Sequence, residues 1–423
     1  MSTGIGGPEK LPAGVAVETL AEPTTRVSTA WTTRFTLVWL GLWMATLVPV
    51  QLALPDQLAE VDYAHRVRDF GLVNGLVGLS AVLTLPLFGA LCDHTRSRFG
   101  RRRVWVLMGL FVFAGGLVLT GLQTSWQGVG LCWLVASLGN NMMAAGLTAT
   151  IADEVPDEQR GTISGAIYGP QAIGVVLGLI AVEGIAAASL RYGVLAGALV
   201  LLALPFLIGY RDVATTQATE KLTLPAIAEG MWISPRENPD FAWAFAGRLL
   251  VNLGNAFGTT YLLFFLRDAM LVPDPDAALL NLTLVYLVFT VAATYLGGYL
   301  SDRTGRRRIF VAVAALSQAI AALLLTPIPS MDVALVAAGF LGAGYGAFMS
   351  VDQALITHLL PDPEDRAKDL GIMNIGAVGP QALAPLVASV IITSLGGYPM
   401  LFLIAAITTL AGAASVYRIR SVR

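Results

Sequence analysis

Across 423 residues, 56% of the side chains are hydrophobic and only 13% are charged, with a mean hydropathy of +0.70. Soluble domains carry about 25% charge, so the composition is not that of a water-soluble enzyme or binding domain. The formal net charge of −2 implies no nucleic-acid or other polyanionic partner, and Cys92 and Cys132 are expected near opposite membrane faces, too far apart to bridge.

Met1 to about Ala30 is rich in Gly, Pro, Thr and Glu and is expected to be a disordered tail. It lacks the basic start and short apolar run of a signal peptide. Apolar runs of about 20 residues then recur, each long enough to cross a bilayer as a helix. Six are expected near 35–54, 70–92, 104–122, 128–151, 161–182 and 192–210. Arg211 to Asp240 breaks the pattern with Thr, Pro, Glu and Lys, leaving room for a short interfacial helix around 224–232. Six more runs follow near 241–266, 279–300, 309–327, 333–356, 370–395 and 400–417. The expected organisation is a tail (1–30), a six-helix bundle (31–210), a linker (211–240), a second bundle (241–417) and a short tail (418–423).

Two loops carry the same pattern. Gly89 to Arg103 reads G-A-L-C-D-H-T-R-S-R-F-G-R-R-R, and Gly297 to Arg308 reads G-G-Y-L-S-D-R-T-G-R-R-R. Each lies between two apolar runs and offers small residues, an aspartate (Asp93, Asp302), a turn glycine (Gly100, Gly305) and three arginines. Two copies about 200 residues apart imply a duplicated membrane unit. Of the 26 Lys and Arg residues, only Arg66, Arg68, Arg191 and Arg267 fall in loops on the side away from the N-terminus, and Arg248 falls inside a run. That asymmetry places both termini in the cytoplasm of an integral membrane protein, with the cell (inner) membrane as the expected location. The halves echo each other elsewhere too. Asp153–Arg160 matches His358–Arg366 in character, and Gly169-Pro170-Gln171 recurs as Gly379-Pro380-Gln381.

This pattern resembles the major facilitator superfamily over nearly the whole chain from Arg34 on. The family signature Gly-x-x-x-Asp-[Arg/Lys]-x-Gly-[Arg/Lys]-[Arg/Lys] is met by Asp302, Arg303, Gly305, Arg306 and Arg307, with Gly297 the better match to its first glycine. The first copy, with Gly89, Asp93, Arg96, Gly100, Arg101 and Arg102, has His94 in place of a base and four extra residues before its glycine. The resemblance implies an all-α fold of twelve transmembrane helices in two pseudo-symmetric six-helix bundles. It also implies that Asp93 touches the start of the eleventh span and Asp302 the start of the fifth. An anion is favoured at a helix N-terminus. The arginines would pair with acids such as Asp153, in the loop that ends at Arg160. These contacts would hold the cytoplasmic side shut.

Ionisable groups inside spans are costly and usually functional. Arg248 and Asp352 lie about two turns from the cytoplasmic ends of spans seven and ten, at matched depth. The resemblance makes both helices cavity-lining, and Asp352 is expected to exchange a proton under the influence of Arg248. Candidate solute-binding groups are Gln51, Asn140, Asn141, Asn252, Asn255, Tyr345, Gln171, Asn374 and Gln381, a polar uncharged set. Any of them could instead bond a neighbouring helix. Trp39 and Trp43 read as lipid-facing anchors or a stacking platform. No phosphate-cradling Gly-x-x-x-x-Gly-Lys-[Ser/Thr] loop and no metal-ligand or nucleophile–base cluster is visible. No cofactor is therefore expected, and the protein is not expected to be an enzyme.

The extended first loop looks like that of disaccharide–proton and glycoside–cation symporters. Gly165-x-x-x-Gly169-Pro170-x-x-Ile173-Gly174 is similar to a signature of drug antiporters. The sequence-level expectation is therefore a monomeric secondary transporter. It would move a small, sugar-like solute with protons by alternating access, with proton-antiport efflux as the alternative. A channel or transport-inactive sensor on the same scaffold is the reading from another class.

Overall fold

The computed structural model describes residues 26–95, 97, 100–210, 238–304, 307–359 and 366–419. The expected interfacial helix at 224–232 and the motif residues Arg96, Gly305 and Arg306 lie outside them. Asp93, His94, Arg160, Asp302 and Asn374 are described as to backbone only. Every apolar run in the described chain becomes helix, because a helix bonds its backbone polar groups within itself and can face lipid.

The first span is a continuous path. Helix α1 (Thr29–Val48) passes through a π-helical turn (Pro49–Ala53) into α2 (Leu54–Val61). Prolines 49 and 55 each remove one N–H from this path, and the π turn that opens at Pro49 carries the helix past the break, with Leu54 N–H bonding the Pro49 carbonyl. The chain therefore keeps turning as helix, and Asp56 and Glu60, expected in a loop, are helical. Next come α3 (Arg66–His94), α4 (Arg101–Gly121), α5 (Trp126–Glu154), α6 (Asp157–Val182) and α7 (Ala188–Gly209). Gly100 caps α4 at φ +94, a conformation that a side chain would strain, which accounts for the motif's turn glycine.

The second half holds α8 (Pro239–Thr260), with a bent helical continuation to Ala269, then α9 (Pro275–Thr304) and α10 (Arg307–Leu325). It closes with α11 (Met331–Leu359), α12 (Arg366–Val390) and α13 (Gly397–Val416). Among the described residues, nine helical stretches are long and apolar enough to cross a membrane, or ten with the bent pair. One of these, Gly379–Val416, joins the second half of α12 to α13, and α6 contributes a shorter apolar stretch, Gly169–Val182.

Packing repeats between the halves. In the first, α1 packs on α6 and α7, α5 on α3 and α4, and α4 on α7. In the second, α8 packs on α12 and α13, α11 on α9 and α10, and α10 on α13. Those are the same five pairings, two six-helix bundles built alike. Large apolar side chains such as Leu83, Phe111, Leu201 and Ile208 point outward, a surface suited to lipid rather than water. The main seam between the bundles is α3 against α12.

Candidate functional site

Three groups of polar residues emerge: one at the face holding the termini, one within the second bundle, and one at the far face. At the terminal face, α4 begins directly at the arginine cluster, so Arg101 and Arg102 lie on its first turn. Both reach Asp153, near the end of α5. Arg101 Nη2 donates to both carboxylate oxygens at 2.8 Å, and Arg102 Nε donates to Oδ2 at 2.8 Å. Arg102, nearly fully buried, also approaches Cys92 Sγ at 3.3 Å. Burial acts to raise the Asp153 carboxyl, but the bonds from Arg102 and Arg101 outweigh it and hold the group below the usual carboxylate range. Gln159 and Glu154 hold the start of α1: Val27 N–H, just ahead of the helix, donates to Gln159 at 2.8 Å, and Trp31 Nε1, in its first turn, to Glu154 at 2.7 Å.

The rest of the expected gate is only partly in view. Asp93 and Asp302 fall in the last turns of α3 and α9. Arg303 is exposed and reaches the Tyr299 hydroxyl at 3.5 Å, and Arg307 opens α10. Gly297 is tightly packed: a Cβ there would lie 3.2 Å from the Ala347 Cα and the Ser350 Oγ. Around Gly89, by contrast, no described atom comes within 4 Å of where a Cβ would sit.

In the second bundle, Arg248 on α8 and Asp352 on α11 meet as expected, Nη1 to Oδ2 at 2.8 Å, with side chains 3% and 5% exposed. The contact is close but misaligned: among the described residues, Asp352 Oδ2 and Arg248 Nε both lack a hydrogen-bond partner. One turn along α8, Asn252 donates to the Arg248 carbonyl at 2.8 Å and accepts from Tyr345 at 3.5 Å. Tyr345 stacks on Tyr286, centroids 6.4 Å apart. Asn255, also buried, has an Oδ1 with no hydrogen-bond partner among the described residues.

The first-bundle candidates behave differently. Thr46 donates to Asn140 at 3.1 Å, Asn140 contacts Asn141 at 3.4 Å, and Asn141 donates to Thr84 at 2.9 Å. That chain ties α1, α5 and α3 together. Gln51 and Gln171 are half-buried and Gln381 is exposed; none of the three side chains bonds to another described residue. Trp39 and Trp43 belong to a ladder with Trp31 and Phe35, and Trp43 Nε1 donates to the Ile167 carbonyl at 2.8 Å. They face the bundle interior, not lipid.

The far-face group was not singled out from the sequence. Of Asp56, Arg66, Arg191, Arg267, Asp268 and Asp276, the sequence places the three arginines in loops on that side and assigns none of the six a role. The signal that could have found them is scarcity: only four bases were placed on that side, and three of these six are among them.

Comparison with known proteins bears on the whole arrangement. No curated protein matches the chain. A mutant of the nucleoside transporter NupG, solved by crystallography, superposes with a TM-score of 0.70 at 16% identity, over 92% of this chain and 98% of that one. The family model of the Major Facilitator Superfamily matches residues 35–273 and 255–423. The repeated bundles, the paired arginine loops and this match together place the chain in the Major Facilitator Superfamily.

Proposed function

We propose that this membrane transporter moves a polar, uncharged solute with a sugar-like moiety by symport with protons, with Asp352 carrying the proton and Arg248 as its counter-charge. The observation that carries the reading is the buried, misaligned Arg248–Asp352 pair. Two opposite charges withdrawn from water are tolerable together, whereas either alone costs several kcal/mol. Protonating Asp352 leaves Arg248 uncompensated and in need of acceptors. Hydroxyl and ether oxygens of a bound solute supply them, so solute and proton are each favoured when the other is present. Asn252, Asn255 and Tyr345 stand within two turns of the pair and add neutral donors and acceptors. NupG, similar in fold, is titled a nucleoside transporter; a nucleoside carries such a sugar and fits the same description.

The terminal face is taken as cytoplasmic because the basic loops lie there, with Asp93, Asp302 and their arginines closing that face in the alternate state. The test is proton movement in liposomes holding the purified protein, driven by sugars and nucleosides. External alkalinisation during solute entry is expected for symport, and acidification would indicate efflux by antiport. Asp352→Asn should abolish proton movement and leave solute exchange measurable. Proton movement that survives this change would remove Asp352 from the coupling role.

A further inference from the structure

At the far face, four charged residues form a closed square across the seam between the bundles. Asp56 on α2 and Arg191 on α7 belong to the first bundle. Arg267, just after α8, and Asp276, in the first turn of α9, belong to the second. Arg191 and Arg267 both donate to Asp56, and Arg191 Nη2 also lies 2.8 Å from Asp276 Oδ2. The fourth side, Arg267 to Asp276, is 3.9 Å. Each bundle thus offers one acid and one base, arranged so that neither bundle can withdraw without leaving both of its charges half-paired.

A second bridge stands beside the square. Arg66 on α3 meets Asp268 at 2.8 Å, and the Tyr398 hydroxyl donates to the same carboxylate at 3.0 Å. An apolar plug from both bundles accompanies the two. Phe70 packs edge-on against Tyr261 and Phe264, all three essentially without exposure. The Tyr261 hydroxyl donates to Pro385 O at 2.7 Å. All six charged side chains are at most 24% exposed, so water screens them only partly.

The geometry points to an ionic gate at the far face: Asp56, Arg191, Arg267 and Asp276, backed by Arg66–Asp268, hold shut the side through which solute must enter or leave away from the termini. Opening that side requires three cross-bundle contacts to part: Asp56–Arg267, Arg191–Asp276 and Arg66–Asp268. The inference concerns which face is closed and stands whether or not Asp352 carries a proton.

Hydrogen exchange on the full-length protein in lipid nanodiscs tests it. Asp56→Asn leaves Arg191 and Arg267 facing each other, and Arg66→Asp sets an acid against Asp268. Removing one partner of such a desolvated pair should shift the closed-to-open ratio roughly tenfold or more. Each variant should raise exchange in the peptides covering 54–61 and 262–278 and leave the lipid-embedded middle of α4 and α10 as protected as in the parent. Adding Asp268→Arg to Arg66→Asp restores opposite charges and should return exchange towards the parent level. Unchanged exchange at the far face, or an equal rise throughout every helix, would overturn the assignment. So would a charge-swapped pair no better protected than Arg66→Asp alone.

Discussion

At the residue scale, the informative contrast is between two aspartates that each meet arginine. Asp153 is a structural anchor: two guanidinium groups converge on it with aligned hydrogen bonds, and one of them, Arg102, is nearly fully buried. Asp153→Asn would remove the carboxylate charge on which both Arg101 and Arg102 converge. The expected loss is about 3 kcal/mol, the low end for breaking a buried pair, because Asp153 itself is partly exposed; a lower melting temperature in detergent would report it. The pH dependence follows from the direction of the Asp153 shift. A carboxyl held below the usual range contributes fully above the ordinary value of 3.8 and loses that contribution as pH falls through its lower folded-state value. Between pH 5 and 8 this pair should therefore add no slope to the melting curve. Asp352 meets one guanidinium in a misaligned contact, and among the described residues the oxygen that faces it, Oδ2, has no aligned hydrogen-bond partner.

At the scale of the element, α3 shows why glycines recur along a helix already built for lipid. A Cβ on Gly71 would fall 2.9 Å from the Pro385 carbonyl, and one on Gly75 would fall 3.0 Å from Leu386. The far half of α3 is thus pressed against α12, while Gly89, near the other end of α3, has no described atom within 4 Å of its Cβ position. Gly89→Leu separates two roles for that motif position. In the conformation seen here no described atom lies within 4 Å of its Cβ position, so thermal stability should be unchanged. If the terminal ends of α3 and α12 must close on each other during transport, solute uptake should still fall at least tenfold, roughly the effect of overpacking an interface by 1–3 kcal/mol. Unimpaired uptake would take Gly89 out of the gate. The apolar runs, the arginine loops and the Arg248–Asp352 pairing were legible in the sequence because each is a local excess: grease, like charge, or a charge where none belongs. The far-face square was not legible. Its four members come from four separate elements, and an isolated Asp or Arg near a span end reads the same whether it faces water or a partner across a seam.

At the scale of the whole molecule, two bundles share the same internal pairings, and on the proposed reading the contacts between them decide which face is open. The far face is held by the ionic square, the Arg66–Asp268 bridge and the aromatic plug. On the proposed reading, the opposite face is held in the alternate state by Asp93 and Asp302. Transport requires both states to be visited, so turnover depends on the balance between the two sets of contacts rather than on either alone. Weakening the terminal-face set with Asp302→Asn should deepen the bias towards the conformation seen here and slow transport, by about tenfold for each 1.4 kcal/mol of added bias. Weakening the far-face set with Arg66→Asp should push the balance the other way and slow transport too, because the far face then fails to close. The double variant distinguishes a balance from two separate injuries. If the gates oppose each other, the two shifts cancel, and transport in Asp302→Asn with Arg66→Asp recovers several-fold over the slower single variant. If each change damages the protein independently, their costs add, as distant substitutions usually do, and the double variant is slower than either parent. Uptake measured in the same liposomes for all four proteins, with hydrogen exchange at both faces alongside, decides between the two.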